Sequence, residues 1–344
     1  MLSLRLVAQA VPGDLGPELD PSGCPRRPLL AIDTDVAVTA AELEQAVNNL
    51  RAAGAISVAI TRGGQPVRPV AEVTDITIAR GDSTVSHGCK VVLVGDPLAA
   101  VVGLQTRVAA SPVASITLAW LLRGSAGLTV PVALAAESAA FSTLLSGAEF
   151  RTWLAARGEP RPPDQSERVR LNRHDNVLSI VLSRPGRRNA VDARMRDALR
   201  DALAIAEVDT ALTVEITGAG PSFSAGGDLD EFGSAADMAI SHLVRVEGSA
   251  GAVLHRIRDR VTARLHGACL GAGIEIPAFA GRLTAAPGTV FGLPEIAMGL
   301  IPGAGGTVSI TRRIGRQRML WMALTGERVD VPTALVWGLI DAVG

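Results

Sequence analysis

The order of apolar and polar positions predicts alternating strands and helices. The run PLLAIDTD (residues 28–35) is a short apolar block closed by polar residues and reads as a strand. TAAELEQAVNNLRAAG (39–54) spaces its apolar positions as a helix does, and Thr39 with Glu42 three places on marks the start of that helix. AISVAIT (55–61) is a second strand. The same order returns as VLSIVLSRPG (177–186), DARMRDALRDALAIAEVD (192–209) and ALTVEITGAG (211–220), which suggests an internal repeat. The alternative is that any two strand–helix–strand units look alike at this level of detail.

The two halves then diverge. After residue 64 the first passes through a polar segment to a strand, KVVLVGD (90–96), and a long helical stretch over 97–157. After residue 218 the second enters glycine-rich loops. Between the halves lies GEPRPPDQSE (158–167), whose three prolines among polar and charged residues suit neither a helix interior nor a central strand. It is the expected domain boundary. The reading divides the chain into an N-terminal segment (1–28), an α/β region ending in helices (29–157), a linker (158–167) and a second domain (168–344).

Composition narrows the function. Of 344 residues, 48% are hydrophobic and 19% charged, as in an ordinary globular protein able to bury a sizeable core. Basic and acidic residues number 33 and 34, so no nucleic acid and no anionic membrane is expected as a partner, and any bound anion must be held by local charge. Cys24, Cys89 and Cys269 show neither a disulfide framework nor zinc-ligand spacing, and no metal is expected. The N-terminus is a poor signal peptide and no run of roughly 18 apolar residues offers a membrane span, so the expected location is the cytoplasm.

Three stretches carry candidate chemistry. PSFSAGGDLDEF (221–232) follows a strand, and its consecutive glycines allow backbone N–H groups to converge on one ligand atom. HGACLGAGIEIPAFAG (266–281) sets Gly271, Ala272 and Gly273 at the start of an apolar helix, where unpaired N–H groups favour developing negative charge. Two such segments face to face would form an oxyanion hole. FGLPEIAMGLIPGAGGT (291–307) places Glu295 in an apolar run, where a carboxylate must be paired, protonated or catalytic. Glu275 and Glu295 can meet only across the turn and strand of RLTAAPGTVFG (282–292), and a carboxyl pair in an apolar pocket suits acid–base chemistry. A structural ion pair is the competing reading for either glutamate taken alone. The glycines of IPGAGGT lack the Gly-Lys-Ser/Thr ending of a phosphate loop. His87, His174, His242, His255 and His266 share no motif.

In this order and spacing, SFSAGGDLDEF, HGACLGAGIEIPAF and FGLPEIAMGLIPGAGGT resemble the signature segments of the enoyl-CoA hydratase/isomerase (crotonase) family, and the likeness runs over 168–344. SRPGRRNAVDARM (183–195) and LTGERVDVPTALVWGLID (324–341) extend it. The resemblance implies an α/β fold, a spiral of ββα repeats in the second half. It implies that the backbone N–H groups of Gly227 and Ala272 hold a thioester oxygen, that Glu275 activates water for attack at C3, that Glu295 delivers a proton to C2, and that the Gly303 N–H helps to place the water. It also implies CoA contacts at Arg187, Arg188, Ala190, Ala225, Asp228 and Leu229, with a solvated charged turn as the other reading of the two arginines. Leu229, Phe232 and the residues to Met238 are the expected acyl-pocket wall.

Where the family often carries an aspartate after its second signature helix, this chain has Ala280, Gly281 and Arg282. The sequence stops at Gly344, short of the family's helical tail, while 96–157 resembles that tail in helix pattern and in its Ala-Glu-Ser and Glu-Phe pairs. Residues 29–157 are therefore read as a degenerate family copy, and the helices of 96–157 are expected to pack over or beside the second-half site, from the same chain or a neighbouring subunit; an unrelated helical domain is the competitor. The function implied is syn hydration of a 2-enoyl-CoA to a 3-hydroxyacyl-CoA with no cofactor beyond the CoA of the substrate, in a homotrimer or hexamer. The alternatives are an isomerase or other acyl-CoA enzyme of the family, or a noncatalytic CoA-ester-binding or assembly subunit.

Overall fold

Capping residues and apolar blocks set most element boundaries. The computed structural model describes residues 1–63, 65–81 and 91–344, so His87 and Cys89 lie outside the described residues. Along the chain run β1 (Leu2–Ser3), α1 (Leu4–Gln9), β2 (Leu29–Asp33), α2 (Ala40–Arg51), β3 (Ile56–Thr61), α3 (Arg68–Val73), β4 (Ile76–Arg80), β5 (Val92–Val94), α4 (Pro97–Ala110), α5 (Pro112–Gly124), α6 (Val130–Leu145) and α7 (Ala148–Arg157). There follow β6 (Val169–His174), β7 (Val177–Leu182), α8 (Ala193–Val208), β8 (Thr213–Gly218), α9 (Met238–Glu247), α10 (Ala250–Ile257), β9 (Val261–Leu265), β10 (Ala268–Leu270), α11 (Ala272–Glu275), β11 (Arg282–Ala285) and β12 (Val290–Gly292). The chain continues with α12 (Gly306–Ile314), α13 (Arg316–Thr325), β13 (Val329–Asp330), α14 (Val331–Trp337) and β14 (Ala342–Val343). Among the described residues no single helix is long and apolar enough to cross a membrane.

Two compact units result: Met1–Gly124 with Gly315–Thr325, and Ser125–Ile314 with Gly326–Gly344. The division falls within the predicted helical stretch, and the proline-rich segment 158–167 lies inside the second unit. That segment is not a free linker, because Asp164 binds Arg184 and Arg168 and the Pro162 carbonyl accepts from Arg187 at 3.0 Å.

In the first unit β1 to β5 form one sheet in sequential order, every neighbouring pair parallel. β3 is buried at every position, as a central parallel strand covered on both faces must be. Residues 1–28 are part of this unit: β1 pairs with β2, and Leu4, Val7 and Leu15 join Leu30, Ile32 and Leu50 in its core. The capping box of Thr39 and Glu42 opens α2 as predicted. Of the predicted strand over 90–96, residue 90 lies outside the described residues and the described part forms a strand at Val92–Val94, which ends where Asp96 turns the chain by capping α4 through the Leu98 and Ala99 amides.

In the second unit a six-stranded sheet runs β14-β11-β9-β8-β7-β6, with β6 and β7 antiparallel and the other neighbours parallel. A small sheet, β10-β12-β13, stands beside it. The α/β class expected from the sequence is thus observed. Among the described residues the likeness of the two halves is confined to the strand–helix–strand level, because the described pairings of the first sheet are all parallel and include no counterpart of the antiparallel β6 and β7.

Candidate active site

Asn189 is the clamp on which the site is built. It is fully buried at φ 53°, a backbone region that asparagine tolerates better than most residues. Its Nδ2 donates to the carbonyls of Ala219, Ser222 and Phe223, and its Oδ1 accepts from the Arg184 amide, so the loop before α8 is tied to the loop after β8. The Ser224 hydroxyl then donates to the Asn189 carbonyl at 2.8 Å. Ser224 also zips to the next segment: its N–H donates to the Ala268 carbonyl and its carbonyl accepts from Leu270 N–H. Gly226, at φ 101°, completes the approach, since a Cβ there would stand 2.7 Å from the Leu270 carbonyl oxygen. The two glycine-rich segments therefore meet backbone to backbone. The N–H groups of the following residues, Gly227 and Ala272, have no protein acceptor among the described residues, and both residues line one cavity.

The cavity, of about 350 Å³, is also lined by three buried glutamates, Glu137, Glu275 and Glu295. Glu275 and Glu295 flank Gly271, where φ is 47°: an added Cβ would collide with Glu295 Oε1 and touch Glu275 Oε1 at 3.7 Å. Glu275 Oε2 accepts from the N–H groups of Ala304 (2.8 Å) and Gly306 (2.9 Å) at the start of α12, which leaves Oε1 available. Glu295 Oε2 is buried with no hydrogen-bond partner among the described residues.

Burial raises Glu295 well above its ordinary value, and the charges of Glu275 and Glu137 add to the rise. Burial alone raises Glu275, to about 7, against the lowering pull of the Ala304 and Gly306 amides. Three buried carboxyls lining one cavity cannot all ionise. The proton belongs on Glu295, whose charge only its own backbone N–H stabilises and whose Oε2 has no partner among the described residues, and the charge belongs on Glu275 at the positive end of a helix.

Glu137 has no counterpart among the residues singled out from the sequence, although its Ala-Glu-Ser setting was noted for its likeness to a family tail. A lone carboxylate in VALAAESAAF was the available signal. On α6, its Oε1 accepts from Gly305 N–H (2.7 Å) and its Oε2 from the N–H (2.9 Å) and hydroxyl (2.6 Å) of Thr307. Burial, then the Glu275 charge, raises it to about 8 against those donors.

The walls come from α6, α7 and the segment before α9. Phe141 occupies the space over Gly303, where any Cβ would collide with the ring, and meets Phe232 edge-on at 6.4 Å. Trp153 on α7 packs on the other side of Phe232 at 6.3 Å, and Arg157 donates to the Phe232 carbonyl. Phe232 and Met238 line the cavity, as the sequence suggested, but Leu229 does not and is 43% exposed. Gly303 lines the cavity too; the amides that reach Glu275 are those of Ala304 and Gly306.

The other residues proposed for CoA are placed unequally. Arg187, Arg188, Ala190, Ala225 and Leu229 lie outside the cavity lining. Arg188 is exposed, whereas Arg187 is bound to Asp230 at 2.8 Å. Ala190 is buried, and Ala225 N–H donates to the Arg188 carbonyl. Asp228 lines the cavity but its side chain is committed elsewhere: one oxygen meets Arg184 at 2.6 Å, and the other accepts from Asp230 N–H. Arg184 and Arg168, with Asp164, Asp192 and Asp228, form a buried ionic cluster beneath the loops. Among the histidines, His242 Nδ1 is 3.0 Å from the Ser138 hydroxyl and His266 Nε2 is 3.0 Å from the Gly220 carbonyl, while His174 is exposed. His255 lies against Phe279.

Residues 172–344 match the family model described as enoyl-CoA hydratase/isomerase. Over 174 residues the chain is 34% identical to the 2,3-dehydroadipyl-CoA hydratase of Escherichia coli (strain K12), covering 50% of this chain and 68% of that protein. Among solved structures, the enoyl-CoA hydratase of Thermoplasma volcanium GSS1 is 33% identical, with 52% of this chain and 73% of that one covered and a TM-score of 0.48. DspI of Pseudomonas aeruginosa is 30% identical, with 53% and 70% covered and a TM-score of 0.48.

Proposed function

The chain belongs to the enoyl-CoA hydratase/isomerase family, and we propose that its second unit adds water across the double bond of a 2-enoyl-CoA to give the 3-hydroxyacyl-CoA. The observation that carries this reading is the pair of carboxyls on either side of Gly271, one accepting two α12 amides and the other with a buried unpartnered oxygen, in the cavity lined by Gly227 and Ala272. Double-bond isomerisation needs one acid–base group, whereas hydration uses a base for water and an acid for carbon. The relative from Escherichia coli is itself named a hydratase.

In the proposed reaction Glu275 Oε1 takes a proton from water as the water oxygen bonds to C3. The electron pair of the double bond moves onto the thioester oxygen, where the Gly227 and Ala272 N–H groups hold the enolate; one such donor contributes roughly 100- to 1,000-fold. The enolate then collapses as C2 takes the Glu295 proton, leaving Glu275 protonated and Glu295 ionised. Transfer of one proton between these neighbours restores the starting state. The apolar rings of Phe141, Phe150 and Phe232 line the cavity around the pair and limit its access to water. CoA phosphate is assigned to Arg188, which is exposed, in preference to Arg187, which Asp230 holds.

The test is incubation of the full chain with enoyl-CoAs of graded length, following loss of the conjugated-thioester absorbance and incorporation of labelled water. Binding of CoA esters without turnover, or migration of the double bond without water uptake, would replace this reading with one of its alternatives.

A further inference from the structure

Arg245 sits on α9 with its guanidinium against α6, and it lines the same cavity as Glu275 and Glu295. Its Nε donates to the Ser138 hydroxyl at 3.2 Å and its Nη2 to the Ser142 hydroxyl, while the guanidinium carbon lies 5.0 Å from the centre of the Phe141 ring. Nη1 has no protein acceptor among the described residues, and no carboxylate forms an ion pair with this side chain there. The contrast within the unit is sharp: Arg168 and Arg184 are each held by aspartates at 2.6 Å. Glu137, whose charge Arg245 senses, spends both oxygens on the Gly305 and Thr307 donors. A partly desolvated cation that hydrogen-bonds only to hydroxyls, lies on a ring face and has no ion pair with the nearby Glu137 is an arrangement that an anion would complete.

The surroundings say where that anion would come from. Phe232 lies against Gly227, Phe141 meets Phe232 edge-on, and Phe141 carries Arg245 on its face. An acyl chain anchored by its thioester at Gly227 would cross these rings and end at the guanidinium. Resting on the reading of the cavity as a 2-enoyl-CoA site, we propose that the acyl group carries an anionic far end, a carboxylate, and that Arg245 is its receptor.

The test uses binding, so that it does not depend on hydration. Saturated acyl-CoA esters of equal length, one ending in a methyl group and one in a carboxylate, are titrated by calorimetry into the full chain and into Arg245→Met and Arg245→Lys. The wild type should bind the carboxylate-ended ester roughly 10- to 100-fold more tightly, as a charge-assisted hydrogen-bonded pair allows. Arg245→Met should bring that ratio near one, and Arg245→Lys, which keeps the charge without the fork, should retain part of it. Thermal melts of each variant check folding. Equal binding of both esters by the wild type, or a preference that survives in Arg245→Met, would overturn the proposal and leave the hydratase reading intact. A preference without turnover would do the reverse.

Discussion

Glu137 and Glu275 divide between them the amide donors at the start of α12. Ala304 and Gly306 donate to Glu275, and Gly305 and Thr307 donate to Glu137. Successive peptide units point to opposite sides, so two carboxyls from elements far apart in sequence grip one turn from its two faces. Neither can move without disturbing the donors of the other, which makes Glu137 a positioning residue for Glu275.

Replacing Glu137 with Gln puts an NH₂ group where only an acceptor fits, because Gly305 N–H, Thr307 N–H and the Thr307 hydroxyl all donate there. The Glu137→Gln variant should lose roughly 10- to 100-fold in kcat, with a smaller change in KM. The acidic limb of its pH–rate profile should move to higher pH, since the Ala304 and Gly306 hydrogen bonds that lower Glu275 would loosen. An unmoved limb would reduce Glu137 to a packing role.

Glu275→Gln and Glu295→Gln should each lower kcat by about 100- to 10,000-fold while CoA-ester binding measured by calorimetry stays close to wild type. In the wild type, activity should rise with pH as Glu275 gives up its proton near its raised value of about 7. It should fall at higher pH as Glu295, also raised, loses the proton it must donate. Near-normal rates in both variants would remove the acid–base assignment.

Much of this site was legible in the chain. Glu275 and Glu295 stand out because glycine-rich loops punctuate the sequence on either side of them, and apolar blocks gave the strands around them. Glu137 did not stand out, because its donors lie 168 and 170 residues downstream and nothing in an alanine-rich helix announces them. The segment 158–167 misled for the opposite reason. Its prolines and charges have the composition of a solvated linker, but Asp164 finds Arg184, 20 residues on, and the Ser166 hydroxyl, with Arg184, holds its carboxyl far below the usual range. Arg245 gave no signal at all, since a basic residue in the last turn of a helix is ordinary.

The three buried carboxyls also link folding to pH. Each is raised in the folded protein above the ordinary 4.5, so their contribution to stability is fully present below that value. It is lost as pH rises through the folded values of about 7 for Glu275 and about 8 for Glu137. The melting temperature should fall by several degrees between about pH 5 and about pH 9, and Glu137→Gln should flatten that slope even though it lowers the melting temperature itself. A melting temperature that climbs across this range would contradict the raised values.

Gly226→Ala tests the oxyanion segment without touching either acid. The residue must adopt φ 101° and its methyl group would press on the Leu270 carbonyl, so the two segments must part. The cost to stability should be about 1–3 kcal/mol. Activity should fall by more than loss of folded protein explains, because the Gly227 N–H moves away from Ala272. A folded variant with wild-type kcat would show that the close approach at Gly226 does not place the donor.

The last prediction concerns the helices before the proline-rich segment. Glu137, Phe141 and Phe150 belong to α6 and α7, yet they line a cavity whose carboxyl pair comes from residues beyond 270. Their hold does not depend on continuity of the chain at residues 158–160. Glu137 is bound by Gly305 and Thr307, the Ser138 and Ser142 hydroxyls donate to the carbonyls of His242 and Met238, and Arg157 binds the Phe232 carbonyl. Cleavage of the full protein at a protease site placed between Gly158 and Glu159 should therefore leave the two fragments co-eluting in gel filtration, with most activity kept. The cut falls before Asp164, so the ionic cluster with Arg168 and Arg184 stays on one fragment. Residues 168–344 expressed alone would lack Glu137 and both aromatic walls, leaving the α12 amides at Gly305 and Thr307 without their acceptor and Glu295 open to water. That product should be inactive or insoluble. Full activity from it, as a folded species, would show that α6 and α7 are dispensable to the site.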